Sequence, residues 1–296
     1  MPWLQIRIPT LPQHTETLED ALLVAGCQAV TLLDTKDQPV FEPIRGTTPL
    51  WQHTTIQGLF EQDIDAKQLT ATMQQLIDSE GIQAGEIVAE ILEDKDWERE
   101  WMDNFKPIQC GERLWIVPSW LEAPDSNAIN LKLDPGLAFG TGTHPTTFLC
   151  LRWLAENIQG DEKVLDFGCG SGILGIAALL LGAQQMTGTD IDPQAISATI
   201  ANAEANGIKR ESFSVTTEPL PDTEQYNTVI ANILAGTLID LKQTILSHLK
   251  PKGSIVLSGI LAHQADMVIE HYRNQIQFEP TTEHDGWVAL SGIKTG

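Results

Sequence analysis

Apolar and polar positions follow two different periods through residues 1–93. Trp3 to Ile8 (WLQIRI) alternates like a half-buried strand, whereas Leu18, Leu22 and Leu23 share one side of a helix spanning Glu16 to Ala25. Ala29 to Leu33 predicts a second strand, followed by a Pro- and Gly-containing loop that runs to about Leu50. Gln52 to Phe60 predicts a third strand. Asp65 to Ser79 is helical in period, with Leu69, Met73, Leu76 and Ile77 on one side, and Glu86 to Leu92 closes the set. The resulting β-α-β-β-α-β order predicts a smaller, amino-terminal, ferredoxin-like α+β domain over 1–93, a module suited to binding rather than chemistry.

Residues 94–105 read as a charged linker helix with Trp97 and Trp101 four apart on one face. Leu114 to Val117 and Ile129 to Leu133 predict two strands of a bridging segment over 106–135. After Pro145, helical and strand patterns alternate at βαβ spacing, which predicts a doubly wound, Rossmann-like α/β domain within 106–296. Phe278 to Thr282 and Trp287 to Ser291, either side of a His-Asp-Gly turn, predict a closing antiparallel hairpin.

Composition restricts the setting of this fold. Four well-separated cysteines without a CxxC pair argue against a zinc site or a disulfide framework and for reduced, cytoplasmic thiols. The start MPWLQIRIPT lacks a signal-peptide pattern, and the longest apolar run, Ile176 to Leu181, is too short to span a bilayer. Net charge is −22, and residues 1–105 hold 19 acids against 6 bases. Such a surface repels a phosphate backbone, so the charge serves either solubility or the attraction of a basic protein partner, not nucleic acid. A monomer is the default expectation.

The chemistry centres on Val164-Leu165-Asp166-Phe167-Gly168-Cys169-Gly170-Ser171-Gly172, an apolar strand that runs into a glycine-rich turn and then a helix from Ile173. Glycines let the backbone approach a ligand and adopt positive φ. The next strand delivers Asp190, a carboxylate suited to both hydroxyls of an adenosine ribose. Gly170-x-Gly172-x-x-Gly175 is also the dinucleotide fingerprint. Asp166 decides between them, because beside the turn it would repel a pyrophosphate but attract an ammonium and a sulfonium. A strand-end acid capping the turn is the structural alternative. The balance favours S-adenosylmethionine.

Two flanking segments narrow the choice. Thr228 to Ala231 is a strand that ends at Asn232, and strand carboxyl ends at the switch point carry the chemistry of doubly wound sheets. An Asn there can aim an amine lone pair at a methyl group. Amine-directed methyltransferases often follow such an Asn or Asp with Pro-Pro-Tyr, and its absence after Asn232 weighs against a planar amide or a nucleobase amine as acceptor. Upstream, Asp134 to Thr147 (DPGLAFGTGTHPTT) places Pro145 in a first helical turn, with Thr146 and Thr147 where N–H groups face outward and can hold a carboxylate. The glycines at 136–143 suggest a closing loop with Phe139 as its apolar contact. His144 reads as an exposed loop histidine in preference to a general base.

DPGLAFGTGTHPTT, VLDFGCGSGILGIAAL, TGTDIDPQAI and ANILAG together resemble the ribosomal protein L11 methyltransferase family, across nearly the whole chain. The resemblance implies a class I methyltransferase that trimethylates lysine ε-amines and the α-amine of that protein, the first domain docking it. It also implies cofactor contacts at Thr147, Gly168, Asp190 and Asn232, with Gly170 in the same turn. The rival expectations are a nucleic-acid or glutamine methyltransferase and a non-catalytic cofactor-binding scaffold.

Overall fold

The computed structural model describes residues 2–36, 38, 49–92, 105–134 and 142–296. The chain divides into two compact units, Met1–Met102 and Asp103–Gly296. The predicted linker helix, with Trp97 and Trp101, falls almost wholly outside the described residues.

In the first unit, β1 (Trp3–Thr10), α1 (Thr15–Val24), β2 (Ala29–Asp34), β3 (Thr54–Glu61), α2 (Ala66–Glu80) and β4 (Val88–Leu92) follow the expected order. The strands form one antiparallel sheet, β2-β3-β1-β4. This order puts the two central strands, β1 and β3, under both helices. Ile6, Ile8, Ile56 and Phe60 are fully buried with Leu18 and Leu22 of α1, and Met73 of α2 joins them. The Asp65 carboxylate accepts the N–H groups of Lys67 and Gln68 to start α2, and Gly81 at φ 61° ends it.

The second unit begins with a small sheet of β5 (Ile108–Gln109), β6 (Leu114–Val117) and β7 (Ile129–Lys132). The two-residue β5 is too short for a periodic signal and is absent from the expected set. Then come α3 (Pro145–Asn157), β8 (Lys163–Phe167), α4 (Ile173–Leu180), β9 (Gln185–Thr189), α5 (Pro193–Ala205), β10 (Phe213–Thr216) and β11 (Tyr226–Asn232). They are followed by α6 (Ala235–Asp240), α7 (Lys242–Ser247), β12 (Leu249–Leu261), α8 (Ala265–Tyr272), β13 (Ile276–Phe278), β14 (Thr282–His284) and β15 (Trp287–Lys294).

The large sheet runs β10-β9-β8-β11-β12-β15-β13, parallel through its first five strands and antiparallel at β15. Chain order reverses between β8 and β11. That is the switch point of a doubly wound sheet, the expected fold, and it opens a crevice at the strand carboxyl ends. Side chains alternate between two cores. Val164, Ile230 and Val256 join the cluster with α3 and α4, while Leu165, Val229, Ala231, Ile255 and Leu257 join that with α6, α7 and α8. Burial on both faces explains the unbroken apolar runs of these strands.

The carboxyl-terminal hairpin differs in detail from expectation. Residues 278–282 do not form one strand; β13 and β14 pair separately with β15, and Asp285 (φ 48°) and Gly286 (φ 76°) make the tight turn between β14 and β15.

Candidate functional site

The site grows from the carboxyl ends of β8, β9 and β11. After Phe167 the backbone turns through Gly168 (φ 77°), Gly170 (φ 54°) and Gly172 (φ 77°), a left-handed sequence that side chains resist. The N–H groups of Gly168 and Cys169 both donate to Thr189 O, at 2.7 and 3.0 Å, which ties the turn to the end of β9. A Cβ on Gly168 would lie 2.6 Å from Ile233 Cγ2, so that glycine also permits the close approach of the residue after Asn232.

Asp190 follows β9 directly and is partly exposed. Its Oδ2 accepts the Gly170 N–H at 2.9 Å and its Oδ1 accepts the Asp192 N–H at 3.0 Å. Each carboxylate oxygen has a second lone pair, so the group so oriented can still receive two hydroxyl donors.

Asp166 occupies a different position from the one that favoured it as a ligand contact. It is 1% exposed, and its Oδ2 accepts the Gly175 N–H of α4 at 2.8 Å. The carboxylate joins β8 to α4 through Gly175, beyond the glycine turn, and offers a ligand almost no surface. Burial pushes its carboxyl from 3.8 up to about 7, with the Gly175 N–H pulling the other way and the Asp190 charge adding to the rise.

At the end of β11, Asn232 is half-buried and its Nδ2 donates to Thr147 Oγ1 at 3.3 Å. Thr147 is fully buried in the first turn of α3. The fold therefore brings together two residues 85 positions apart in the chain, beside the Gly168–Ile233 contact.

Two expectations for the start of α3 need correction. His144 is a half-buried N-cap, not an exposed loop histidine: its Nδ1 accepts the Thr146 N–H at 3.3 Å and lies 2.8 Å from Thr146 Oγ1. Its ring meets Trp287 edge-on with centroids 4.8 Å apart, and burial holds its imidazole below the ordinary histidine range. The Thr146 N–H is consequently capped within the chain and does not face outward for an anion. Phe139 and the rest of 135–141 lie outside the described residues.

Sequence reasoning also misses Thr199 and Asn202 of α5, whose side chains donate to Gly170 O and Ser171 O. The only available signal is their i, i+3 spacing on a helix that follows the turn. Among the described residues no cluster of His, Cys, Asp and Glu could hold a metal ion, and all four cysteines are free and buried.

The chain is similar to known proteins along nearly its whole length. The family profile described as ribosomal protein L11 methyltransferase matches residues 2–295. The protein of that name from Marinomonas sp. (strain MWYL1) is 53% identical over 294 residues, covering 99% of each chain. Its counterpart from Ectopseudomonas mendocina (strain ymp) is 54% identical over 295 residues, covering 99% of this chain and 100% of the relative. The crystal structure of a ribosomal protein L11 methylase from Lactobacillus delbrueckii subsp. bulgaricus superimposes with a TM-score of 0.59 at 31% identity, over 65% of this chain and all of that one. With a match from residue 2 to residue 295 that takes in the glycine turn, Asp190, Asn232 and the doubly wound sheet, the chain belongs to the ribosomal protein L11 methyltransferase family.

Proposed function

We propose that this protein transfers methyl groups from S-adenosylmethionine to amines of ribosomal protein L11, namely lysine ε-amino groups and the α-amino group. The observation that carries the reading is the Asn232–Thr147 pair at the sheet's carboxyl edge, set beside the glycine turn in a chain of this family. The residues fit the cofactor. Gly168 and Gly170 carry no side chains of their own to hinder approach of a nucleoside to the turn, and the Asp190 carboxylate keeps acceptor capacity for a ribose diol.

When bound, S-adenosylmethionine supplies an electrophilic methyl group on a cationic sulfur. Asp190 would hold the ribose, and Gly168 and Gly170 would admit the ligand to the backbone. Asn232 would accept an amine N–H through Oδ1 while Thr147 fixes its amide, so that the lone pair is aimed in line. A lysine of ordinary pKa, about 10.4, must first lose a proton, at a cost of about 4–5 kcal/mol at pH 7. Desolvation beside a sulfonium favours the neutral amine and offsets part of this, so no dedicated base is required. His144, spent as a helix cap, is not assigned that part.

Residues 1–93 would dock the substrate, 94–105 would link, and 106–296 would carry the chemistry. The net charge of −22 suits a basic protein substrate and disfavours RNA. No helix among the described residues is long and apolar enough to cross a membrane, and a monomer acting in the cytoplasm fits the free thiols.

The test is transfer of radiolabelled methyl to purified ribosomal proteins and, separately, to ribosomal RNA. Label confined to L11 is expected; label in RNA, or in no substrate, overturns the reading.

A further inference from the structure

Three positive-φ glycines make a turn that can take the required shape but does not hold it, since glycine is equally at ease elsewhere. Something outside the turn must fix it. Asp190 grips Gly170 through its N–H, and the carbonyl side of the same segment is held from α5. Thr199, fully buried, donates its hydroxyl to Gly170 O at 3.1 Å. One turn further along the helix, Asn202 donates Nδ2 to Ser171 O at 2.8 Å. A Cβ on Gly172 would stand 2.5 Å from Thr199 Cγ2, so only a glycine lets the turn pass this close to the helix.

Peptide units are planar, so holding two successive carbonyls fixes the planes of the 170–171 and 171–172 peptides. Gly170 is then gripped at both ends, its N–H by Asp190 and its C=O by Thr199. We propose that Thr199 and Asn202 are positioning residues for the nucleoside end of the site, holding the glycine turn in register with the Asp190 carboxylate. The proposal rests on the reading that Asp190 and the turn bind S-adenosylmethionine.

The helix supplies its own control. Asn206 also bonds to backbone, its Nδ2 to Lys132 O and its Oδ1 from the Lys132 N–H, both at 2.7 Å, and its Nδ2 to the backbone Asn202 O at 2.8 Å, but it makes no hydrogen bond to the turn. Calorimetric titration with S-adenosylmethionine, together with kcat at saturating cofactor, would be measured for Thr199→Val, Thr199→Ser, Asn202→Leu and Asn206→Ala in the full chain. Valine keeps the shape of threonine and removes the donor; serine keeps the donor.

Loss of one net hydrogen bond corresponds to roughly a 3- to 10-fold rise in Kd, expected for Thr199→Val and for Asn202→Leu, with saturated kcat within about twofold. Thr199→Ser should retain the Kd of the unaltered chain, and Asn206→Ala should lower the Tm without moving the Kd. Three results would overturn the proposal: an unchanged Kd in Thr199→Val and Asn202→Leu, an equal loss in Thr199→Ser, or an equal loss in Asn206→Ala. Failure of the unaltered chain to bind S-adenosylmethionine would overturn the functional reading along with it, and the two failures are thereby distinguished.

Discussion

Asp166→Asn isolates the energetic consequence of a carboxylate buried between β8 and α4. Burial raises the carboxyl from 3.8 to about 7 in the folded protein, so the fold favours its protonated form. The stabilising contribution is therefore fully present below pH 4 and is lost as pH rises through 7. A difference of about 3 pH units at about 1.36 kcal/mol each makes the ionised carboxylate cost about 4 kcal/mol above pH 7. Asparagine can still accept the Gly175 N–H, and its introduced NH2 group adds an offset of about 1–3 kcal/mol if left without a partner. That offset does not vary with pH, whereas the carboxylate cost does. Urea unfolding of both proteins between pH 4 and pH 8 should show the variant gaining on the parent by up to about 1.4 kcal/mol per pH unit, levelling off above pH 7. A difference constant across that range would refute the argument.

Asp190→Ala removes the partner of Gly170 and the expected ribose acceptor; cofactor binding should weaken by about 1.5–3 kcal/mol in titration calorimetry, and NADH should bind neither protein. Asn232→Ala should lower the single-turnover rate at saturating cofactor more than it weakens cofactor binding, because aiming the amine matters chiefly in the transition state; equal losses would leave Asn232 as a binding residue only. A chain beginning at Phe105 should fold, bind S-adenosylmethionine with near-native affinity and fail to methylate intact L11, while added salt should raise the full chain's apparent KM more than it changes kcat. Methylation of folded L11 by the shortened chain as fast as by the full one would remove the docking role from residues 1–93.

Where the chain has one solvated face, its period reveals it. The β-α-β-β-α-β order of the first unit is legible because β1 alternates between Ile6 or Ile8 inside and Arg7 outside. The doubly wound sheet is legible for a different reason, the glycine turn and the spacing of apolar runs around it. Inside those runs the period carries no directional information, since β8 is buried on both faces. Asp166 therefore cannot be assigned from sequence to the ligand or to α4. His144 shows another limit. Pro145 marks the helix start, but histidine is an uncommon N-cap, so the residue before the proline reads as loop. The contacts of Thr199 and Asn202 with the turn are tertiary hydrogen bonds across about thirty positions, and no local pattern announces them.

The position of β15 bears on how the second unit is built during synthesis. This strand follows all three of its partners, β12, β13 and β14, in sequence, yet it lies between β12 and β13 in the sheet. Until residues 287–294 have been made, β12 has an unpaired edge along Ile255, Val256, Leu257 and Ile260, all fully buried in the finished fold. A ribosome-bound chain can therefore complete the first unit early, since all four of its strands lie within residues 3–92. The second must wait with an apolar, aggregation-prone edge exposed until its last strand inserts between two that preceded it.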